Sequence, residues 1–133
     1  FAAIRASKTG GQVEILGIIA PEEFQHWLGV AEQMKFEAKE RIKDHFKIFS
    51  EIIQKEEGIT PELVIREGDR VNEVLAQVQD DPEVGIIVLG AGVSSEGPGP
   101  LVTQLVARQG GTLPVPVTIV PGSMTKESII AVS

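Results

Sequence analysis

The sequence predicts an α/β fold in which a doubly wound parallel sheet carries helices on both faces. Short runs of aliphatic and β-branched residues alternate along the chain with longer segments whose apolar residues recur every three or four positions. The short runs are nearly continuous in apolar character, which is typical of parallel strands buried on both faces. Strands linked by helices in this way favour right-handed crossovers and hence a doubly wound sheet.

The composition is that of one compact globular domain. The chain has 133 residues, 42% hydrophobic and 23% charged, which is enough to bury a single core. Its formal net charge of −7 disfavours nucleic acid and anionic lipid surfaces as partners. The chain has no cysteine, which fits a reducing cytoplasm, and no apolar run long enough to span a membrane. We therefore expect a cytoplasmic protein without disulfides and without a membrane partner.

The first half of the chain contains two predicted helices and two predicted strands. Residues 1–8 have the apolar pattern of the back half of a helix and are followed by a strand over residues 13–19. Residues 22–57 form a long amphipathic helix, which Gly29 could interrupt, and residues 63–65 form a second strand. The buried stripe of the long helix comprises Trp27, Ala31, Met34, Ala38, Ile42, Phe46, Phe49 and Ile53.

A third helix is predicted to begin after a turn at Gly68, where Asp69 is placed to cap it. The residues that it should bury are Val71, Val74, Leu75 and Val78. The sequence Asp80, Asp81, Pro82 ends this helix, because proline cannot continue it.

The second half continues with a strand over residues 85–89, a glycine-rich loop over residues 90–99 and a helix over residues 100–109. This last helix should turn inward Leu101, Val102, Leu105 and Val106. The final strand, residues 117–120, follows two prolines, which suits the edge of a sheet because proline cannot donate to a neighbouring strand. The tail, residues 122–133, could form a short helix after Thr125 or a strand through its last apolar residues.

The order of these elements, together with residues 67–69, 86–92 and 114–120, resembles the universal stress protein (UspA-like) family. The resemblance covers residues 1–121, which we take as the domain, with residues 122–133 as a C-terminal tail. It implies a sheet in the order 3-2-1-4-5 and a role in the stress response. It also implies a homodimer that pairs through the edge strand.

The family has a first strand ahead of the first helix, and this sequence shows none. Without it, two inner strand edges would have no partner. We expect residues ahead of Phe1 to supply the strand, as the lack of an initiator Met also indicates. The alternative is that residues 128–133 fill the slot, within one chain or between two.

A ligand is expected at the loop of residues 90–99, because ligands of open parallel sheets bind outside the carboxyl ends of the strands. Glycines let backbone N–H groups approach phosphate oxygens, and the start of a helix favours negative charge. The candidate residues in this loop are Gly90, Gly92, Gly97 and Gly99. An equally open alternative is that these glycines only set the backbone of a tight turn.

The resemblance implies ATP, ADP or AMP as the ligand, but the loop departs from the family pattern. Nucleotide-binding members have a glycine, two residues, a second glycine, nine residues, and then glycine with Ser or Thr. Here Val93 stands where the second glycine is due, and Gly99 is followed by Pro100, which has neither a hydroxyl nor an amide hydrogen. The loop is also shorter and contains Glu96, so we expect weakened nucleotide binding.

The sequence offers no catalytic or metal-ligating set, so we expect a binding module and not an enzyme. Ser94 and Ser95 have no base nearby, and the two histidines lie at a spacing unrelated to metal ligands. Two alternatives remain. One is a structural or protein-interaction dimer without a nucleotide, and the other is a phosphate-transferring enzyme, which would need a base or a metal-binding acid beside Gly90.

Overall fold

The structure is a computed structural model in which five helices alternate with four parallel strands over the residues that it describes. These residues are 1–20, 31–92, 97, 99–109 and 113–133. The α/β class predicted from the sequence is confirmed. The chain divides into two compact units, one of residues 2–73 and one of residue 1 with residues 74–133.

The unit of residues 2–73 contains the first two strands and the helices around them. Its elements are α1 (Ala2–Thr9), β1 (Glu14–Ile19), α2 (Ala31–Glu57) and β2 (Glu62–Glu67). All four were predicted, with bounds that differ by a few residues. The predicted start of the long helix at residues 22–30 lies outside the described residues.

Strands β1 and β2 pair in parallel, from Glu14 opposite Glu62 to Ile19 opposite Glu67. The Ile19 carbonyl accepts from the Gly68 N–H at 3.0 Å, which fixes the odd-numbered residues of β1 as those bonded to β2. The backbone groups of Leu16 and Ile18 therefore point to the other edge of β1. Among the residues that the structure describes, no strand pairs with that edge.

Helix α2 packs on β1 through a contact between Ile42 and Gly17. A Cβ atom added to Gly17 would lie 2.7 Å from Ile42 Cγ2 and 3.2 Å from Ile42 Cδ1. The glycine therefore leaves the space that the branched side chain of Ile42 occupies. This close approach sets the distance between the helix and the strand.

The apolar stripe of α2 is longer than the sheet beneath it. Its 27 residues extend about 40 Å, whereas the six residues of β1 extend about 20 Å. Phe49 lies two turns beyond Ile42 and is 55% exposed, so its predicted burial is wrong. Ile48 and Ile52 near it are exposed as well.

Helix α3 (Arg70–Asp80) begins at the predicted cap. Asp69 Oδ2 accepts from the Asn72 N–H at 3.1 Å, which satisfies one backbone donor of the first turn. Gly68 before it has a φ of 148°, where a side chain is strained. Glu73 lies against Gly68 and accepts from Arg66 Nε at 2.6 Å. Val71, Val74 and Val78 are buried as predicted.

Replacing Asp69 with alanine is expected to lower the free energy of unfolding by about 1 kcal/mol, because the Asn72 N–H loses its acceptor. Urea unfolding followed by circular dichroism measures this change. Asp69→Asn keeps an acceptor and serves as the matched control, with an expected change of less than about half as much. Equal losses in the two variants would contradict a capping role.

The other unit contains β3 (Ile87–Ala91), α4 (Pro100–Gln109), β4 (Val117–Pro121) and α5 (Lys126–Val132). The bounds of α4 are those predicted. Strand β3 begins two residues later than predicted and continues through Gly90 and Ala91. The predicted boundary of the glycine-rich loop is therefore wrong, because the described connection after β3 begins at Gly92.

The tail forms helix α5, so the alternative of a strand over residues 128–133 is wrong. Thr125 Oγ1 accepts from the Ser128 N–H at 3.1 Å and caps the helix. This bond directs the chain into a helical turn before the apolar residues can extend. The tail therefore does not supply the expected first strand, and no other described strand does so.

Strands β3 and β4 also pair in parallel, from Ile87 opposite Val117 to Ala91 opposite Pro121. The Ile87 N–H donates to the Pro116 carbonyl at 2.9 Å, which fixes the even-numbered residues of β4 as those bonded to β3. Within the described residues β4 has no second neighbour, so the predicted edge strand is confirmed. In the numbering of the predicted order 3-2-1-4-5, the missing first strand is strand 1, so β1 to β4 correspond to strands 2 to 5. The observed pairs β1–β2 and β3–β4 are therefore the pairs 3-2 and 4-5 of that order.

None of the helices that the structure describes combines the length and the apolar character needed to cross a lipid bilayer.

Candidate functional site

The sequence predicts a ligand at the carboxyl ends of β3 and β4. Gly92 follows β3, and Gly122 follows β4. The Gly122 N–H donates to the Ala91 carbonyl at 2.9 Å, so the β3–β4 ladder extends to the carboxyl ends of both strands. The connection from Gly92 to α4 starts here, at the end of the strands where open parallel sheets bind ligands.

Two of the candidate glycines have a backbone that favours glycine. Gly97 has a φ of 102° and Gly99 a φ of 108°, both in the region that side chains rarely adopt. Among the described residues, apart from chain neighbours, no heavy atom would lie within 4 Å of a Cβ atom added to either residue. The constraint that the described residues place on these positions is therefore conformational.

Gly99 immediately precedes helix α4. Its carbonyl accepts from the Thr103 N–H at 3.1 Å and from Thr103 Oγ1 at 3.0 Å. Pro100 takes the first helical position, where its missing amide hydrogen does not disturb the helix. The threonine hydroxyl is thus used within the first turn of the helix.

Gly90 lies in β3 opposite Val120 and is exposed. Because the flanking residues of β3 bond to β4, the backbone groups of Gly90 point in the plane of the sheet toward the other edge of β3. The structure thus places Gly92, Gly97 and Gly99 in the connection to α4, and Gly90 in the strand before it. Val93 and Glu96 lie outside the described residues.

The groups that the connection from β3 to α4 offers to an anion are backbone amides. The sequence from residue 90 to residue 100 contains no lysine or arginine, so no positive side chain of this segment can neutralise a phosphate. Attraction for an anion there depends on N–H groups and on the dipole of α4. Over the described ranges, no cluster of three or more potential metal ligands occurs.

A second surface runs along the outer edge of β4. Val106 of α4 is 43% exposed and Ile119 of β4 is 40% exposed. They border a shallow apolar groove, and its lining residues are Val106, Leu113, Pro114, Val115, Pro116, Val117 and Ile119. We call this surface the β4 groove.

The predicted inward position of Val106 is wrong. Val102 and Leu105 fill the buried face of α4, and Val106 lies toward the rim. The sequence indicated an apolar edge strand flanked by prolines, but the groove depends on how α4 lies beside that strand. Helical periodicity alone could not distinguish a buried position from one at the rim.

An ion pair lies at the carboxyl end of β2 in the unit of residues 2–73. Lys35 Nζ is 3.4 Å from Glu67 Oε1 and 3.6 Å from Glu32 Oε1. The negative charges of Glu32 and Glu67 raise the pKa of Lys35 above its usual value. The pair links α2 to the end of the strand that precedes the Asp69 cap.

Because its pKa is raised in the folded state, Lys35 stabilises the fold at neutral pH, and this contribution is lost as the pH rises through the raised value. The Lys35→Met variant should therefore be less stable than the wild type at about pH 8, and the difference should shrink at about pH 11. Urea unfolding at both pH values measures it. The effect is expected to be small, and a difference that grows with pH would contradict it.

No protein-family model matches the sequence, and no curated protein matches it either. Solved structures do. The universal stress protein UspA from Lactobacillus plantarum superposes with a TM-score of 0.74 at 15% identity, over 90% of this chain and 83% of that one.

Two further solved structures are described as hypothetical proteins. PH0823 superposes with a TM-score of 0.61 at 19% identity, and MJ0577 with a TM-score of 0.60 at 20% identity. Each match covers 93% of this chain and 88% of the other. The likeness to UspA confirms that the chain has the universal stress protein fold.

Proposed function

We propose that the chain is a universal stress protein-like module that acts in the cytoplasm as a homodimer, in a binding role in the stress response and without catalysis. The observation that carries this proposal is the outer edge of β4. There the N–H and C=O groups of Val117 and Ile119 face away from β3, and Ile119 adds an exposed apolar side chain. An edge of this kind pairs readily with another strand.

The ladder determines which backbone groups of β4 a second copy could bond. An antiparallel pair exchanges both backbone bonds between opposite residues at alternate positions. If the two-fold axis passes through Thr118, Val117 of each copy lies opposite Ile119 of the other, and both are residues that point outward. Two such pairs give four intermolecular hydrogen bonds. Pro121 has no N–H to donate, so a full pair of bonds cannot form at that position.

Sedimentation equilibrium at tens of micromolar tests the dimer. The expected mass is twice the 14.3 kDa of one chain. A single species with the mass of one chain at that concentration would reject the proposal. An interface of this class should bury more than about 1,000 Å² in total, which the β4 groove helps to provide.

A second candidate function is the binding of ATP, ADP or AMP at the connection between β3 and α4. It is supported by the backbone of Gly97 and Gly99 beside the start of α4 and by the carboxyl end of the sheet. Gly90 matches the first glycine of the pattern of the resembled family, and Gly92 comes one residue before the place of the second. Pro100 and the lack of a positive side chain favour weak binding, and a smaller anion is an alternative ligand.

Thermal unfolding with millimolar ATP, ADP or AMP tests nucleotide binding. A ligand present at about ten times its Kd should stabilise the fold by about 1.4 kcal/mol, which raises the Tm by a few degrees. Gly97→Ala should reduce that shift because its φ of 102° is unfavourable for alanine. Gly85→Ala is the matched control, since Gly85 is exposed and an added Cβ there has open space. No shift with any nucleotide would favour a structural or protein-interaction dimer.

A phosphate-transferring enzyme is the least supported alternative. The described residues beside Gly90 and Gly92 include no base and no acidic cluster that could hold a metal ion. We therefore propose a binding role without turnover. ATP hydrolysis that disappears in Gly97→Ala and persists in Gly85→Ala would reverse this choice.

A further inference from the structure

Helix α2 extends past the strands that it packs on. From Ile42, which lies against Gly17, the helix continues to Glu57, about 22 Å further on. The chain returns from there to the start of β2, so the helix runs toward the amino ends of the strands. In that direction β1 continues only from Gly17 to Glu14, about 10 Å, and β2 begins opposite Glu14. The last two turns of α2 therefore project about 12 Å beyond both strands.

Three large apolar side chains are exposed in this part of α2. Ile48 is 56% exposed, Phe49 is 55% exposed and Ile52 is 47% exposed. Residues three or four apart lie on the same side of a helix, so these side chains form one continuous patch. Single exposed apolar residues are common, but a contiguous set marks a contact surface. Three exposed residues continue the same side at intervals of three or four, and we call the whole set the α2 seam: Arg41, His45, Ile48, Phe49, Ile52 and Glu56.

The α2 seam carries opposite charges at its two ends. Arg41 lies about two turns before Ile48, and Glu56 lies about two turns after Phe49. The midpoint between the two charges is therefore also the midpoint between Ile48 and Phe49. Two seams packed in parallel would bring like charges together at both ends. Two antiparallel seams would instead place Arg41 of each copy against Glu56 of the other.

The antiparallel arrangement matches every residue of the seam with another residue of the seam. With a two-fold axis at the midpoint, Ile48 of one copy lies opposite Phe49 of the other. His45 lies opposite Ile52, and each of these contacts occurs twice, as in any interface about a two-fold axis. The seam is thus complementary to itself in charge and in apolar side chains.

We propose that the α2 seam is a self-association surface, at which two copies of the chain pack their α2 helices antiparallel about the midpoint between Ile48 and Phe49. The occupant is a second copy because of this self-complementarity. A contact along about four turns of one helix buries less than about 1,000 Å² in total, which makes the association weak. The surface lies in the unit of residues 2–73 and uses no residue of β4, so the inference goes beyond the proposed homodimer and does not rest on it.

Sedimentation equilibrium of the Ile119→Pro variant isolates this contact, because proline removes an outward amide of β4 and blocks pairing at that edge. The variant should have the mass of one chain at about 20 μM. Its average mass should rise by about half at about 1 mM, as for a Kd of several hundred micromolar. A mass of one chain up to about 1 mM would overturn the proposal and leave the seam to a partner other than a second copy.

Exchanging the end charges of the seam tests the antiparallel register in the same Ile119→Pro background. Arg41→Glu and Glu56→Arg should each weaken self-association about threefold or more at low ionic strength, because like charges then meet at both ends. An equal mixture of the two variants should associate as well as the parent chain, because every new charge then meets an opposite one. A mixture that associates no better than either variant alone would overturn the proposal.

The double variant Ile48→Gln with Ile52→Gln tests the apolar part of the seam. Both side chains are exposed, so the chain should keep its fold, as circular dichroism can verify. Self-association should weaken about tenfold or more. Phe36→Gln is the matched control, since Phe36 is 63% exposed on another side of the same helix, and it should leave the Kd within about twofold. Equal losses in the two variants would indicate unspecific apolar association and contradict the seam.

The outcomes separate this inference from the proposed function. A wild-type chain that is a monomer at tens of micromolar, yet pairs at about 1 mM through contacts that the seam variants weaken, would reject the β4 homodimer and support the α2 contact. A wild-type dimer that Ile119→Pro dissociates, without further association of that variant at about 1 mM, would reject the α2 contact and support the homodimer.

Discussion

Replacing Ile119 with proline is expected to convert the dimer into a monomer while each chain keeps its fold. The N–H of Ile119 points away from β3, so proline removes no bond of the β3–β4 ladder. In the symmetric pair it removes two of the four intermolecular bonds and places a ring where the partner strand must approach. The Kd measured by sedimentation should rise by about a hundredfold or more.

Thr118→Pro is the matched control for this prediction. The strand register assigns the Thr118 N–H to the bond with β3, so proline there should lower the free energy of unfolding by about 3 kcal/mol or more. Ile119→Ala keeps the N–H and should weaken the dimer much less than Ile119→Pro. If Ile119→Pro remained dimeric at the wild-type Kd, the β4 edge could not be the interface.

Replacing Gly17 with alanine is expected to destabilise the fold, because the new side chain has no room beside Ile42. The added Cβ would lie 2.7 Å from Ile42 Cγ2, closer than non-bonded carbons approach, and that methyl sits on a branched carbon that cannot swing away. The free energy of unfolding should fall by about 1 to 3 kcal/mol, as measured by urea unfolding.

A double-mutant cycle with Ile42→Ala shows whether this contact is the cause. Without the Ile42 methyl groups, the cost of Gly17→Ala should drop by at least about half, because the clash is gone. Gly85→Ala, where the added atom meets open space, should change stability by less than about 0.5 kcal/mol. Additive effects of the two changes would show that Gly17 is required for another reason.

Local signals in the sequence predicted most of the elements. Pro100 marks the start of α4 at the position where the structure begins it, and Asp69 caps α3 as its side chain suggests. The apolar runs of β1 and β2 also fall where predicted. In each case the signal is a single residue, or the spacing of apolar residues, and it concerns only neighbouring positions in the chain. The element can therefore be predicted without knowing how the elements pack together.

The misplaced positions depend on contacts between elements. Gly90 and Ala91 carry no strand signal of their own, yet they extend β3 because Val120 and Pro121 pair with them. Val106 and Phe49 continue apolar stripes beyond the surfaces that could cover them. The sequence suggests an edge strand at residues 117–120, but which of its amides face outward follows only from the register.

The backbone of the glycine-rich connection was predicted in part, and nucleotide binding there stays a prediction. The connection from β3 to α4 and the positive φ of Gly97 and Gly99 agree with a glycine-rich turn. A glycine indicates which backbone conformation the chain can adopt, but it does not identify a ligand that binds there. The apolar surface along β4 gives a clearer indication of what it binds, because exposed aliphatic groups and outward-facing amides both favour contact with another strand.

Oxidation of the Thr118→Cys variant tests the central claim most directly. An axis through residue 118 places the two new thiols opposite each other at a non-hydrogen-bonded position, where Cα atoms lie about 4.5 Å apart and a disulfide can form. The account predicts a disulfide-linked dimer in nearly all chains, and none with Gln104→Cys as the only thiol. Thr118→Cys chains that stay uncrosslinked under the same oxidation would contradict pairing of β4 about this residue.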